Sequence, residues 1–247
     1  MFFHIIIIDA LTRLLIACFQ NYHNKLTSQQ RSYHKKPEFL SITSFYFCSY
    51  LVIMQPEILL QSISRHISLS KDEEERLIAL FKSKKLKKKQ FFLQEGDIQK
   101  HAVFVTDGCL RSYSVDKNGF EHVLQFAPAG WWIGDMRSLI TQQPGILNID
   151  AIDDSEMILL LKSDLEILYA AIPKLERFFR ILAENSLATY QHRLIDNLSL
   201  SAMERYNNFC RLYPSLIEYL PQKQIAAYIG VTPEFLSKML SQPAAKK

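Results

Sequence analysis

The period of the hydrophobic residues changes along the chain and divides it into blocks. Ile58, Leu59 and Ile63, then Leu77, Ile78, Leu80 and Phe81, recur at helical spacing. Ser70, followed three residues later by Glu73, forms a capping box, so two short helices are predicted. From Gln90 the pattern becomes that of strands: Phe91–Leu93, Val103–Val105, Leu110–Val115, His122–Phe126, Trp131–Ile133, Leu147–Ile152 and Met157–Leu161 are β-branched and aromatic clusters bounded by turn residues. Between Pro173 and Leu200 the helical period returns at Leu175, Phe178, Phe179, Leu182, Leu187, Tyr190, Leu194 and Leu198 with no glycine, which predicts one helix about 40 Å long at 1.5 Å per residue.

Turn chemistry sharpens the middle block. Six of the seven glycines lie between Gly96 and Gly145, and Gly96, Gly108, Gly119 and Gly130 are spaced 12, 11 and 11 residues apart beside polar or proline partners. Short strands at that interval indicate an antiparallel sandwich, roll or barrel, and Asn118-Gly119 is a strong hairpin signal. Six lysines fall in the eight residues from Lys82 to Lys89. Such a run can attract phosphate, but a solvated turn leading into an edge strand is the commoner explanation.

Residues 1–53 lack glycine and hold two apolar patches, Phe2–Phe19 and Phe45–Ile53. A membrane span needs about 20 predominantly apolar residues. His4, Asp9 and Arg13 interrupt the first patch, the second is nine residues long, and neither has the layout of a secretory signal. The segment reads as an N-terminal extension upstream of a native start at Met54, with a weak membrane or partner anchor as the alternative. Five Lys/Arg against two acids there account for +3 of the net charge of +4, so overall charge does not identify a partner. Cysteines at 18, 48, 109 and 210 form no C-x-x-C pair, which argues against a zinc ribbon, an iron–sulfur cluster or a disulfide framework. A reducing cytoplasmic location without membrane association fits. Walker loop, nucleophile elbow and H-E-x-x-H are all missing and the histidines lack ligand spacing, so no enzyme and no metal site is expected.

The strand with its Glu95-Gly96-Asp97 turn, the Val103–Gly108 strand and turn, and Trp132-Ile133-Gly134-Asp135 resemble the cyclic-nucleotide-binding β-roll of Crp/Fnr (catabolite activator type) regulators. The resemblance implies a short helix opened by a Gly-Glu pair whose amides hold a cyclic phosphate, with an Arg-Ser pair about ten residues on to neutralise it. Gly134-Asp135 stands at the first place. Gly145 and Ile146 stand at the second. A phosphate without its cation loses a charge-assisted hydrogen bond of about 1.5–3 kcal/mol, roughly 10–150-fold in affinity, so ordinary cyclic AMP binding is not expected. Trp131, Trp132, Gly134, Asp135 and Arg137 mark the candidate effector pocket, in which Arg137 would replace the missing cation; the tryptophans read equally as roll core. No resident cofactor is expected, and a cyclic nucleotide or another small effector stays open. The resemblance also implies that the long helix pairs with its twin; the alternative is packing within its own chain, since Asn185, Ser186 and Arg193 break the heptad.

The most specific signal is residues 221–240. Two helices crossing through a short turn need a small residue at the crossing, a turn glycine and an apolar inner face. Ala226 lies four before Gly230, and Ile225, Ile229, Val231, Leu236 and Met239 or Leu240 supply the inner face. Gly230 can end the first helix in a left-handed conformation; Thr232 is then the N-cap and Pro233 the first residue of the second helix. Glu234, Ser237 and Lys238, with Pro233 and, one turn on, Gln242, would face a major groove; Gln222, Lys223 and Thr232 would touch phosphates. In the resembled family the reading helix carries Arg-Glu and a further Arg; here those places are Pro233, Glu234 and Lys238, so its preferred site does not transfer. Residues 201–247 carry six Lys/Arg and three acids. The family's winged ending is missing, and loop residues Glu204-Arg205-Tyr206 and Tyr213–Pro221 resemble the wingless branch of Bacteroidetes type.

The sequence therefore predicts an α+β chain: an N-terminal extension over 1–53, a cyclic-nucleotide-binding-like β-roll sensor over 54–172, a dimerisation helix over 173–200, and an all-α helix-turn-helix domain over 201–247. The function implied is sequence-specific DNA-binding transcription regulation, with double-stranded DNA and a second copy as partners and RNA polymerase left open. The alternative is a signalling or protein-interaction module with no DNA binding.

Overall fold

Strand hydrogen bonds in the computed structural model build two four-stranded antiparallel sheets, and the described residues are 56–241. Met54 and both N-terminal apolar patches lie outside that range. Helix α1 (Pro56–Ser64) and α2 (Lys71–Ala79) precede the sheets. The expected capping box opens α2: Ser70 Oγ accepts from the Glu73 amide, and the Glu73 carboxylate accepts from the Ser70 amide.

One sheet has the order β1-β8-β3-β6 and the other β2-β7-β4-β5. The strands are β1 (Lys82–Leu86), β2 (Phe91–Leu93), β3 (His101–Asp107), β4 (Cys109–Val115), β5 (Glu121–Pro128), β6 (Trp132–Ile133), β7 (Asn148–Ala151) and β8 (Ser155–Leu161). Alternation along them sends Val103, Val105, Leu110, Ile133, Ile149 and Met157 into the space between the sheets. Sheet crossings depend on Gly108, whose φ is +75° and where a Cβ would collide with the Asp154 carbonyl and Ser155.

The lysine run differs from its expectation in one respect. It does not only lead into an edge strand; its first five residues are the edge strand β1, exposed except at Leu86. Lys85, Lys87 and Lys88 pair with Glu156, Asp154 and Asp153 on and beside β8. Lysine along a sheet edge also discourages pairing with foreign strands.

Short helix α3 (Met136–Thr141) connects β6 of the first sheet to β7 of the second, and α4 (Lys162–Ala171) follows β8. The predicted long helix is α5, Lys174–Ser199. Its first turns bury Leu175 and Phe178 with Leu59, Phe104, Leu165 and Leu168 on the outer face of the first sheet. The outer face of the other sheet carries the C-terminal helices α6 (Ala202–Leu212), α7 (Gln222–Ile229) and α8 (Pro233–Ser241). There Phe126 of β5 meets Phe209, Tyr213 and Tyr228 at ring-centroid distances of 6.0, 5.7 and 5.6 Å, so roll and C-terminal helices share one apolar core. Glu204, Arg205 and Tyr206 are not loop residues: Ser201 and Glu204 make a second capping box that starts α6 ahead of them.

Candidate nucleic-acid interface

The turn between α7 and α8 follows from three residues. Gly230 adopts φ 73°, ψ 41°, and its amide and that of Val231 both return to the Ala226 carbonyl, which satisfies the orphan groups at the end of α7. Thr232 Oγ1 accepts from the Phe235 amide at 3.2 Å, so it caps α8 and Pro233 is the first helical residue. Ala226 and Leu236 are fully buried where the helices cross, and Ile225 and Ile229 complete the inner face. Met239, not Leu240, packs inward.

Glu234, Ser237 and Lys238 are exposed on the outer face of α8, with Pro233 half-buried beside them. Neither Glu234 nor Lys238 is held in an ion pair among the described residues. Gln222 and Lys223 are exposed on the first turn of α7, and Thr232 is exposed at the start of α8. These residues thus lie on two adjacent helices around one turn. Phe235, 52% exposed on the same helix, was not singled out by the sequence; an apolar ring in the first turn after Pro233 was the available signal. Gln242 lies outside the described residues.

The effector candidates are arranged differently. Asp135 is 3% exposed. Its Oδ1 accepts from the Ser138 amide at 2.9 Å as the N-cap of α3, and its Oδ2 accepts from the Ile146 amide at 3.0 Å. A Cβ at Gly145 would stand 2.7 Å from Oδ2. Buried Gln99 reaches in from the β2–β3 loop: its Oε1 accepts from the Asp135 amide at 2.6 Å and its Nε2 donates to the His101 carbonyl at 2.9 Å, lying where a side chain at Gly134 would go. The cassette is therefore closed by its own groups, the Asp135 carboxylate being taken up by the Ser138 and Ile146 amides.

The structure does not bring the five pocket candidates together. Trp132 turns outward against Phe104, Phe178 and Phe179, with centroids 5.1–6.4 Å away. Trp131 packs with its ring tilted against Tyr213, centroids 5.6 Å apart, in the C-terminal core. Arg137 is exposed and makes no ion pair among the described residues. The buried guanidinium lies elsewhere: Arg111 of β4 grips Asp150 through two hydrogen bonds of 2.7 and 2.9 Å, bonds Glu121 at 2.6 Å, and lies 4.2 Å from the Tyr113 ring. Burial opposes its charge, but those carboxylates outweigh the cost and raise its pKa. Burial pushes the Cys109 thiol up to about 12, so it is an inert core group.

Sequence reasoning missed Arg193, which it read as a break in the heptad. Arg193 projects from α5 between roll and C-terminal helices. It donates to the Leu124 and Val123 carbonyls of β5 and, at 3.1 Å, to the Tyr228 carbonyl of α7. Its guanidinium lies 3.9 Å from the Tyr228 ring centre, a cation–π contact. One side chain thus joins sheet, long helix and C-terminal helices.

Residues 83–171 match the family model of the cyclic nucleotide-binding domain. The described chain as a whole has the fold of Crp/Fnr-type regulators. It is similar to the c-di-GMP-responsive global regulator CLP of Xanthomonas campestris, with 14% identity, TM-score 0.58, 69% of this chain and 90% of that one covered. FixK2 of Bradyrhizobium japonicum gives 21% identity and TM-score 0.57 over 66% and 83%. A protein described as a transcriptional regulator of the Crp/Fnr family from Eubacterium rectale gives 16% and 0.56 over 70% and 82%. No match was found among curated protein sequences. Among the described residues no helix is long and apolar enough to cross a membrane.

Proposed function

We propose that the chain is a homodimeric, sequence-specific DNA-binding transcription regulator of Crp/Fnr type, with a sensor domain over 54–172, a dimer helix over 173–200 and a DNA-binding domain over 201–247. The observation that carries this reading is the outer face of α8, where Glu234, Ser237 and Lys238 stand exposed and uncommitted on a helix whose start is fixed by Gly230 and Thr232. Laid in a major groove, Glu234 accepts from a cytosine amino group and Lys238 donates to guanine, while Gln222, Lys223 and Thr232 hold phosphates and set the register.

Dimerisation is supported by the outer half of α5. Leu187, Tyr190, Leu194, Ile195 and Leu198 are 45–80% exposed there, and Leu187, Leu194 and Leu198 lie along one stripe. A second copy of the helix covers such a stripe and sets two reading helices against half-sites about one DNA turn apart. The closed cassette supports a sensor that does not bind cyclic AMP in the family's usual way. Occupancy of the roll would act by biasing α5, through which the twin reading helices are spaced.

Selection of bound duplexes from a random pool tests this reading. Enrichment of two related half-sites about ten base pairs apart is expected, with affinity falling steeply with salt. A pool that stays unenriched after repeated rounds refutes it and leaves a protein-interaction module.

A further inference from the structure

The face of α5 opposite the exposed leucine stripe borders an open cleft of about 650 Å³, lined also by residues of α6 and α7. At 3.6 residues per turn, His192 and Asp196 lie roughly half a turn round the helix from Leu187, Leu194 and Leu198. A twin helix on the leucine stripe therefore leaves this cleft open.

Its wall is strongly cationic. Arg193, Arg205 and Arg211 line it with one carboxylate, Asp196. Asp196 is bonded not by an arginine but by the neutral amide of Asn208, at 2.8 Å. All three guanidiniums make their hydrogen bonds to neutral oxygens. Arg193 uses carbonyls of Leu124, Val123 and Tyr228; Arg205 uses those of Ile229, at 2.9 Å, and Leu200, at 2.8 Å; Arg211 uses the Asn208 side-chain oxygen. None is in an ion pair among the described residues. A guanidinium carries five N–H donors, so Arg205 and Arg211 each retain several with no acceptor among the described residues. Positive charge gathered in a concave, partly apolar site, three guanidiniums against the one carboxylate of Asp196, favours an anion, and bidentate N–H pairs favour phosphate oxygens. Phe209, Leu212 and Ile229 give the cleft an apolar floor, and its volume lies in the range of small-ligand sites.

We propose that this cleft is a binding site for a small organic phosphate, its phosphate held by Arg205 and Arg211 and its apolar part on Phe209 and Leu212. Such a ligand bridges the long helix and the first C-terminal helix, beside the Arg193 joint, and so ties the orientation of the reading helix to ligand level. The proposal stands on cleft chemistry and does not require that the chain bind DNA.

Calorimetric titration of the whole chain, without DNA, with 5′-AMP and inorganic pyrophosphate tests it. Saturable binding of 5′-AMP is expected, with adenosine giving none, since the phosphate supplies the attraction. Arg211→Gln removes one charge from an exposed side chain whose single partner is Asn208, and should weaken binding about tenfold or more. Arg211→Lys keeps the charge but loses the paired N–H donors, and should weaken binding less than Arg211→Gln does. Absence of saturable binding by either probe overturns the proposal, as does binding unchanged in Arg211→Gln, or equal loss in the Gln and Lys variants. Weakened DNA binding by Arg211→Gln with no probe binding would assign these arginines to the DNA footprint instead and also overturn it.

Discussion

The sensor cassette and the C-terminal helix pair hold comparable polar residues in opposite states. In the cassette Asp135, Gln99 and Ser138 are buried and bonded to one another and to local backbone, so a ligand there would have to displace internal hydrogen bonds. On the helix pair Glu234, Ser237 and Lys238 are exposed, and their side chains have no partner among the described residues. A satisfied polar network maintains a shape; unpaired polar groups on a rigid helix are available to read another surface. The contrast supports the proposed recognition role of the C-terminal helix pair.

The largest effect should come from breaking the support of the reading helix. Leu236 is fully buried at the crossing of α7 and α8, and Leu236→Ala should cost about 2–5 kcal/mol. Calorimetry should show the melting temperature lowered by roughly 5–15 °C, with DNA binding lost; a shift under about 2 °C would mean that α8 is not packed as described. Next, Gly145→Arg restores the family's missing cation in sequence but not in space, because its Cβ would lie 2.7 Å from Asp135 Oδ2. It should destabilise the fold by about 1–3 kcal/mol without creating cyclic AMP affinity. Tight cyclic AMP binding by this single variant, measured by equilibrium dialysis, would show that the cassette is open.

Lys238→Ala, by contrast, should leave stability within about 0.5 kcal/mol while weakening and relaxing DNA binding by about 1–3 kcal/mol. Anisotropy titrations on matched and mismatched duplexes separate the two, and equal affinity for every duplex before and after the change removes Lys238 from the reading role. The smallest effect concerns His101. Burial, with Lys82 and Lys84, lowers its pKa below the ordinary 6.5. The unfolded chain therefore binds more protons, and the stabilisation present above pH 6.5 is lost as the pH falls from there through the lowered folded-state pKa. Urea midpoints should drop more on acidification in the parent protein than in His101→Gln; parallel curves would mean that the histidine is not perturbed.

What the sequence disclosed divides along the same line. The reading turn was legible because Ala226, Gly230, Thr232 and Pro233 lie within eight residues and each has a local physical role. The strands of the roll were legible by alternation and glycine spacing, except β1, whose KSKKL sequence has one buried position and so no alternation to detect. Helix α4 went unseen because Leu161 precedes it without a side-chain cap. In the cassette Gly134-Asp135 was visible. Its filling by Gln99, 36 residues earlier, was not, because nothing local to either segment specifies the other. Arg193 was misread for the same reason: its carbonyl partners at Val123, Leu124 and Tyr228 lie 70, 69 and 35 residues away.

The central claim is that α8 lies in a major groove, once per half-site. Guanine N7 faces that groove, so methylation interference on a selected duplex probes the contact itself. The account predicts two clusters of blocking guanines about one helical turn apart, with the Lys238-dependent position in each cluster lost in Lys238→Ala. Binding indifferent to N7 methylation throughout the site would contradict it.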